Sequence, residues 1–230
     1  MPWKRPFATM LALALISFAL QPGGVLAQAA GGAEAPNYLT DAEREAGWEL
    51  MFNGQNLDGW RISNENPDSV TVEDNNIVTH GPRAHLFYGS EGDEPRFQDF
   101  EFQCDVYCDG PSNAGIFFHT HWQAGGWPRN GFEAQVCNGF GDPRKTGSIY
   151  AISDIRDNSP AEDDAWFHYR IRVEGNNVKI WIDGEEVMDW TQPDDWDNER
   201  QSLDGGTFAL QAHDPNSRVL FRNLKVRELE

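Results

Sequence analysis

The 230-residue chain carries 37 acidic and 18 basic side chains, a formal net charge of −19. Binding to phosphates needs clustered Lys and Arg, so this balance excludes nucleic acid and anionic membrane as expected partners. Aromatic residues make up 12% of the chain, with nine Trp among them; that content predicts one folded domain with a real core and points to neutral ligands, sugars first.

The first elements concern targeting. Lys4 and Arg5 give a basic start, Phe7 to Leu20 is an uncharged apolar run, and Gln21-Pro22-Gly23-Gly24 breaks it. Val25-Leu26-Ala27 then sets small residues at the −3 and −1 positions of a cut. This layout predicts a signal peptide over residues 1–27, with an uncleaved anchor as the alternative. The run is shorter than the roughly 20 residues of a spanning helix, and no Cys follows it to carry a lipid. The expectation is an exported protein, periplasmic or extracellular, without membrane attachment after cleavage. Residues 28–46 read as a flexible leader. Within it, Thr40 with Glu43 forms a capping box that predicts a short helix.

Residues 47–230 read as one all-β domain. Helical periodicity disappears, and alternating segments are separated by Asn-Gly and Asp-Gly turns. Phe100 to Cys108 alternates apolar and polar, so one face is core and the other wet. Asn113 to Trp122 puts Ala114, Ile116 and Phe118 on one face and Phe117, His119 and His121 on the other. Phe132, Ala134 and Val136 oppose Glu133, Gln135 and Cys137. A hairpin runs from Trp166 to Trp190, with Phe167, Tyr169, Ile171 and Val173 as its inner row. The last strands are Thr207 to His213 and Arg218 to Leu229. About ten short strands with regular turns predict a β-sandwich or jelly roll of antiparallel sheets. Cys104 and Cys108 stand too far apart on one strand to bond each other, so free thiols are expected, with a bond from Cys137 as the alternative.

Three strands present polar stripes: His119 and His121, Glu133 and Gln135, Gln211 and His213. Residues two apart on a strand share a face. Side by side, these stripes would line a trough suited to hydroxyl-rich ligands, with Trp122, Trp127 and Tyr150 as stacking platforms. An exposed polar sheet is the alternative. His119-x-His121 can also hold a divalent metal, completed by Glu133 or His213, or simply face substrate. Asp163-Asp164 and Asp194-Asp195 fit either Ca²⁺ or solvated charge. No nucleophile elbow, P-loop or dinucleotide fingerprint occurs. No pair of strand carboxylates is spaced for a standard glycosidase.

Several stretches, in order, resemble one family. Leu50 to Trp60 resembles the "LFNGKDLSGW" opening of the 3-keto-disaccharide hydrolase domain, in the concanavalin A-like lectin/glucanase superfamily. Phe97 to Phe102 resembles its "FxDFEL", Ser112 to Phe118 its "NSGIFFR", and Gly131 to Val136 its "GYEVQI". Thr146 to Tyr150 resembles "TGAIY", and Leu210 to His213 with Phe221 to Val226 resembles "LQxH…FRNIxI". The resemblance implies a concanavalin-like jelly roll, export, and action on glycosides oxidised at C3. The matching positions are Glu133, Gln135, Tyr150, His213 and Arg222. The chain departs from the pattern at His119, where the family has Arg, and at Phe167, where it has Asn.

A C3 ketone acidifies the C2 hydrogen, so one base, one acid and an enolate-stabilising group suffice for loss of the C1 substituent. Glu133 and His213 are the expected acid and base in either order, with His119 a further catalytic candidate. Gln135, Tyr150, Gln211, Arg222, Trp122 and Trp127 are the expected substrate contacts. Arg222 or a bound cation would hold the enolate, and a structural ion pair is the alternative for Arg222. A non-catalytic carbohydrate-binding module and an exported adhesion domain are competing readings on the same fold.

Overall fold

A computed structural model describes residues 1–3, 36–90 and 96–229. Residues 4–27 of the expected signal peptide and 28–35 of the leader lie outside the described residues. The folded unit considered below falls within residues 35–230.

Its strands are β1 (Glu49–Leu50), β2 (Trp60–Ile62), β3 (Val70–Glu73), β4 (Asn76–His80), β5 (Ala84–Tyr88), β6 (Phe100–Cys108) and β7 (Asn113–Thr120). They continue as β8 (Phe132–Cys137), β9 (Trp166–Glu174), β10 (Asn177–Ile182), β11 (Glu185–Thr191), β12 (Thr207–Ala212) and β13 (Arg218–Glu228). One sheet has eight strands, ordered β11-β10-β9-β6-β13-β4-β3 with β1 also on β13. The other has five, ordered β2-β5-β12-β7-β8. The paired strands of both sheets run antiparallel. This is a concanavalin-like jelly-roll β-sandwich: alternation and turns predicted the antiparallel sandwich, and the family resemblance implied its concanavalin-like form.

The inner rows build the core. Phe208 of β12 sits 5.2, 4.8 and 4.9 Å, ring centre to ring centre, from Phe97, Phe100 and Phe102. Tyr169, Ile171 and Val173 of β9 are fully buried, facing Ile116, Phe118, Ala134 and Val136 from the other sheet in one cluster. Each large apolar side chain so buried contributes roughly 1.5–3 kcal/mol. Cys104, Cys108 and Cys137 are buried free thiols.

The short helix, α1 (Asp41–Glu45), has the expected capping box: Glu43 N–H donates to Thr40 Oγ1 at 3.2 Å, and Thr40 N–H donates to Glu43 Oε2 at 2.8 Å. Glu43 also pairs with Lys225 of β13 at 2.5 Å. Asn37 and Asn223 exchange side-chain-to-backbone bonds of 2.6 and 2.8 Å. The segment before β1 is thus tied to the eight-stranded sheet from Asn37 onward.

Candidate active site

The five-stranded sheet packs its inner face on the core and turns its outer face to a cavity of about 300 Å³. Glu133, Gln135, Tyr150, Gln211, His213 and Trp127 all line it, with Asn113, Phe117 and Arg129. The strand order β12-β7-β8 brings Gln211 and Glu133 to one floor, although 78 residues separate them. Gln211 Nε2 donates to Glu133 Oε1 at 3.0 Å. The Glu133 side chain must cross β7 to make that contact, and it crosses at Gly115. A methyl group there would lie 2.3 Å from Glu133 Oε1.

Glu133 is half-buried on the cavity floor, and desolvation there pushes its pKa up to about 8; the Gln211 amide opposes this and the charge of Asp142 adds to it. At neutral pH it is therefore a protonated acid, able to donate. His213 Nδ1 lies 2.9 Å from Asp214 Oδ2, which also accepts from Ser217 Oγ at 2.7 Å. Burial opposes ionisation of Asp214, but the bonds from Ser217, His213 and the Asn216 amide outweigh it and lower its pKa. A carboxylate at Nδ1 fixes the neutral tautomer with its proton on Nδ1, which leaves the Nε2 lone pair as base. Trp127 covers the imidazole at 5.3 Å, and Phe140 meets it at 5.9 Å.

The loop carrying Trp127 is pinned. Gln123 Nε2 donates to the carbonyls of Gly125, Gly126 and Trp127 at 2.8–3.1 Å. Glu65 accepts from Gly126 N–H at 2.9 Å and holds Arg83 through two bonds of 3.0 and 3.1 Å. The Arg83 guanidinium sits 4.9 Å over the Trp127 ring. Tyr150 is set by its N–H donating to the Glu133 carbonyl at 2.9 Å, with Arg144 stacked 4.5 Å from its ring. The side-chain oxygens of Asn113, Gln135 and Gln211 are buried with no protein partner among the described residues. They are acceptors of the kind that sugar hydroxyls require.

The structure places four expected site residues elsewhere. Strict alternation puts His119 beside His121 in the trough. Instead, the pairing of β7 with β12 shifts register between Thr207↔Thr120 and Ala209↔Phe117, so β7 holds one extra residue there. His119 takes a left-handed φ of 53°. Its ring turns inward against Phe100 and Phe118, and Nε2 meets the Gln98 carbonyl at 2.9 Å. Burial lowers its pKa to about 4. Gly131 and Gly206 permit this, since a methyl on either would sit 2.6 or 2.5 Å from the His119 carbonyl carbon. His119 and His121 therefore form no metal-binding pair, and among the described residues no group of three metal-ligating side chains converges.

Arg222 lies on the outer face of the eight-stranded sheet, 3.4 Å from Asp105 and stacked 3.8 Å over Trp166. It takes the ion-pair role, because β13 belongs to the other sheet. Trp122 carries Arg61 3.5 Å over its ring, packs beside Phe87, Phe117 and Ala209, and does not line the cavity.

Two contributors escaped the sequence reading. Asp214 adjoins His213, and a His followed by an acid was a readable signal. His85 of β5 is opposite Gln211 in register, fully buried, and enclosed by Phe117 and Trp127 at 5.5 and 5.8 Å. Burial lowers its pKa to about 4, against the pull of Glu65, so it stays neutral. Nothing local marks it, because β5 is short and buried at four of five positions.

A sequence model of the 3-keto-alpha-glucoside-1,2-lyase-like domain matches residues 47–227. The chain belongs to that family. No curated protein matches it. Among solved structures, a Parabacteroides distasonis ATCC 8503 protein assigned provisionally to the glycosyl hydrolases aligns with TM-score 0.68 and 23% identity, covering 85% of this chain and all of that one. The carbohydrate-binding module CBM66 from Bacillus subtilis aligns with TM-score 0.53 and 17% identity, covering 74% of this chain and 96% of its own. The exoplasmic/lumenal domain of VIP36 aligns with TM-score 0.51 and 11% identity, over 79% and 88% of the two chains. At such identities these likenesses establish the fold. No helix among the described residues is long and apolar enough to cross a membrane.

Proposed function

We propose that this is an exported enzyme that cleaves 3-keto-glycosides in the cavity on the five-stranded sheet. His213 Nε2 removes the C2 proton, and the electron pair moves toward the C3 carbonyl as an enolate. Collapse of the enolate breaks the bond from C1 to the leaving oxygen and forms a C1–C2 double bond. Protonated Glu133 gives its proton to that oxygen. Water then adds at C1 and a proton returns to C2, so the net change is hydrolysis. Arg129 lines the same space and serves as the donor to the enolate, while the buried oxygens of Asn113 and Gln135 accept from the sugar hydroxyls. Trp127 and Tyr150 flank the sugar. The observation that carries this reading is that one cavity holds both an acid kept protonated by desolvation, Glu133, and an imidazole, His213, oriented by Asp214.

The test is hydrolysis of a 3-keto-glucoside, with C2 hydrogen exchange in D₂O followed by NMR. Glu133→Gln should lower cleavage on the order of a hundredfold or more while exchange persists. His213→Ala should lower both, and Asp214→Asn should lower both less. Exchange that survives His213→Ala removes it as the base. The likeness to a carbohydrate-binding module supports a second reading, a sugar-binding domain without turnover. Saturable binding of the keto-sugar by wild type with no product would select it.

A further inference from the structure

The outer face of the eight-stranded sheet carries a second pocket of about 420 Å³, built from different chemistry. Its floor is Glu101, only 1% exposed. Arg170 and Arg172 donate to Glu101 Oε1 at 2.5 and 3.0 Å, and Arg227 donates to Oε2 through Nε and Nη2 at 2.9 and 2.6 Å. Arg172 is matched by a second carboxylate, Glu174, at 2.7 Å. Arg170 and Arg227 are left to share one carboxylate, so a positive surplus faces this pocket in a chain of net charge −19.

Each of those guanidiniums also lies against a partly exposed indole. Arg170 is 4.6 Å from the Trp181 ring centre, and Arg227 is 5.1 Å from that of Trp48. Gln103 and His168 complete the polar lining. The pocket's single carboxylate has both oxygens committed, so what it offers a ligand is mainly donors, positive charge and flat aromatic rims. A planar, always-charged guanidinium held rigidly from behind is suited to a carboxylate, and an indole is suited to the apolar face of a sugar ring.

We propose that this pocket is a second carbohydrate site, on the side of the sandwich away from the cavity, that takes polysaccharide bearing uronic acids. It would hold the protein on an acidic glycan while the cavity remains open. The inference does not depend on the cleavage reading. The experiment is binding of the full chain to polygalacturonate and to neutral amylose, by affinity electrophoresis and calorimetry. Polygalacturonate should bind, and raising the salt from about 0.05 to 0.5 M should weaken it severalfold. Trp181→Ala and Trp48→Ala should each weaken binding about tenfold, while Glu133→Gln leaves it unchanged. Where Trp181→Ala does not fold, Trp181→Phe beside Trp48→Ala gives the same reading at smaller amplitude. Absence of polygalacturonate binding, equal binding of amylose, or a loss confined to Glu133→Gln overturns the proposal. Keto-sugar cleavage that persists in Trp181→Ala separates this failure from failure of the enzymatic reading.

Discussion

Gly115→Ala isolates the geometry of the candidate acid. The new methyl would sit 2.3 Å from Glu133 Oε1 and 2.9 Å from both Cδ and Cγ, where ordinary contact begins at 3.4 Å. β7 lies inside the sheet and β8, though at its edge, is buried along most of its length, so the flexible carboxyl moves rather than the strands. It must retreat by about 1 Å, a misplacement that costs on the order of a hundredfold in rate. The 3.0 Å bond from Gln211 goes with it. A hydrogen bond lost in this way costs about 0.5–1.5 kcal/mol, roughly 1–6 °C in the melting midpoint for a domain of this size. The assay pairs initial rates on a 3-keto-glucoside with NMR titration of a ¹³C-labelled Glu133 carboxyl. The carboxyl should titrate away from its wild-type value in a folded variant. A folded Gly115→Ala protein with an unshifted titration and a rate within threefold of wild type would refute the reasoning.

Glu133 also predicts a pH dependence. Its folded pKa of about 8 stands above the ordinary 4.5, so the folded state holds an extra proton between those values. The stability it contributes is complete below about 4.5 and is lost as pH rises through 8. Urea unfolding of Glu133→Gln against wild type should show that slope disappear, and wild-type kcat/KM should fall above about pH 8 as the acid ionises. On the other sheet, Glu101→Gln weakens contacts with three arginines at once. Those guanidiniums are about one-third exposed and can turn to water, so the expected cost is about 1–3 kcal/mol. An unchanged urea midpoint would show the cluster to be energetically idle.

Alternation of small and large, wet and dry residues determined much of this protein. It assigned the inner rows of β6, β7, β8 and β9, because burial acts on every second residue of a strand whatever its neighbours are. It also placed Glu133, Gln135, Gln211 and His213 on outward rows, and the family motifs matched these positions and Tyr150. Strand order is a different matter, since it depends on pairings between residues far apart in the chain, such as Phe100 with Val173 and Glu49 with Val226. Only the folded sheets show that Arg222, on an outward row like Gln211, belongs to the opposite side of the sandwich. Only they show His85 under Trp127, Gly115 beneath the Glu133 carboxyl, and the one-residue bulge that turns His119 inward. A bulge shifts the two-residue period without altering composition, and a glycine's missing side chain acquires meaning only when another strand's carboxyl comes to lie across it.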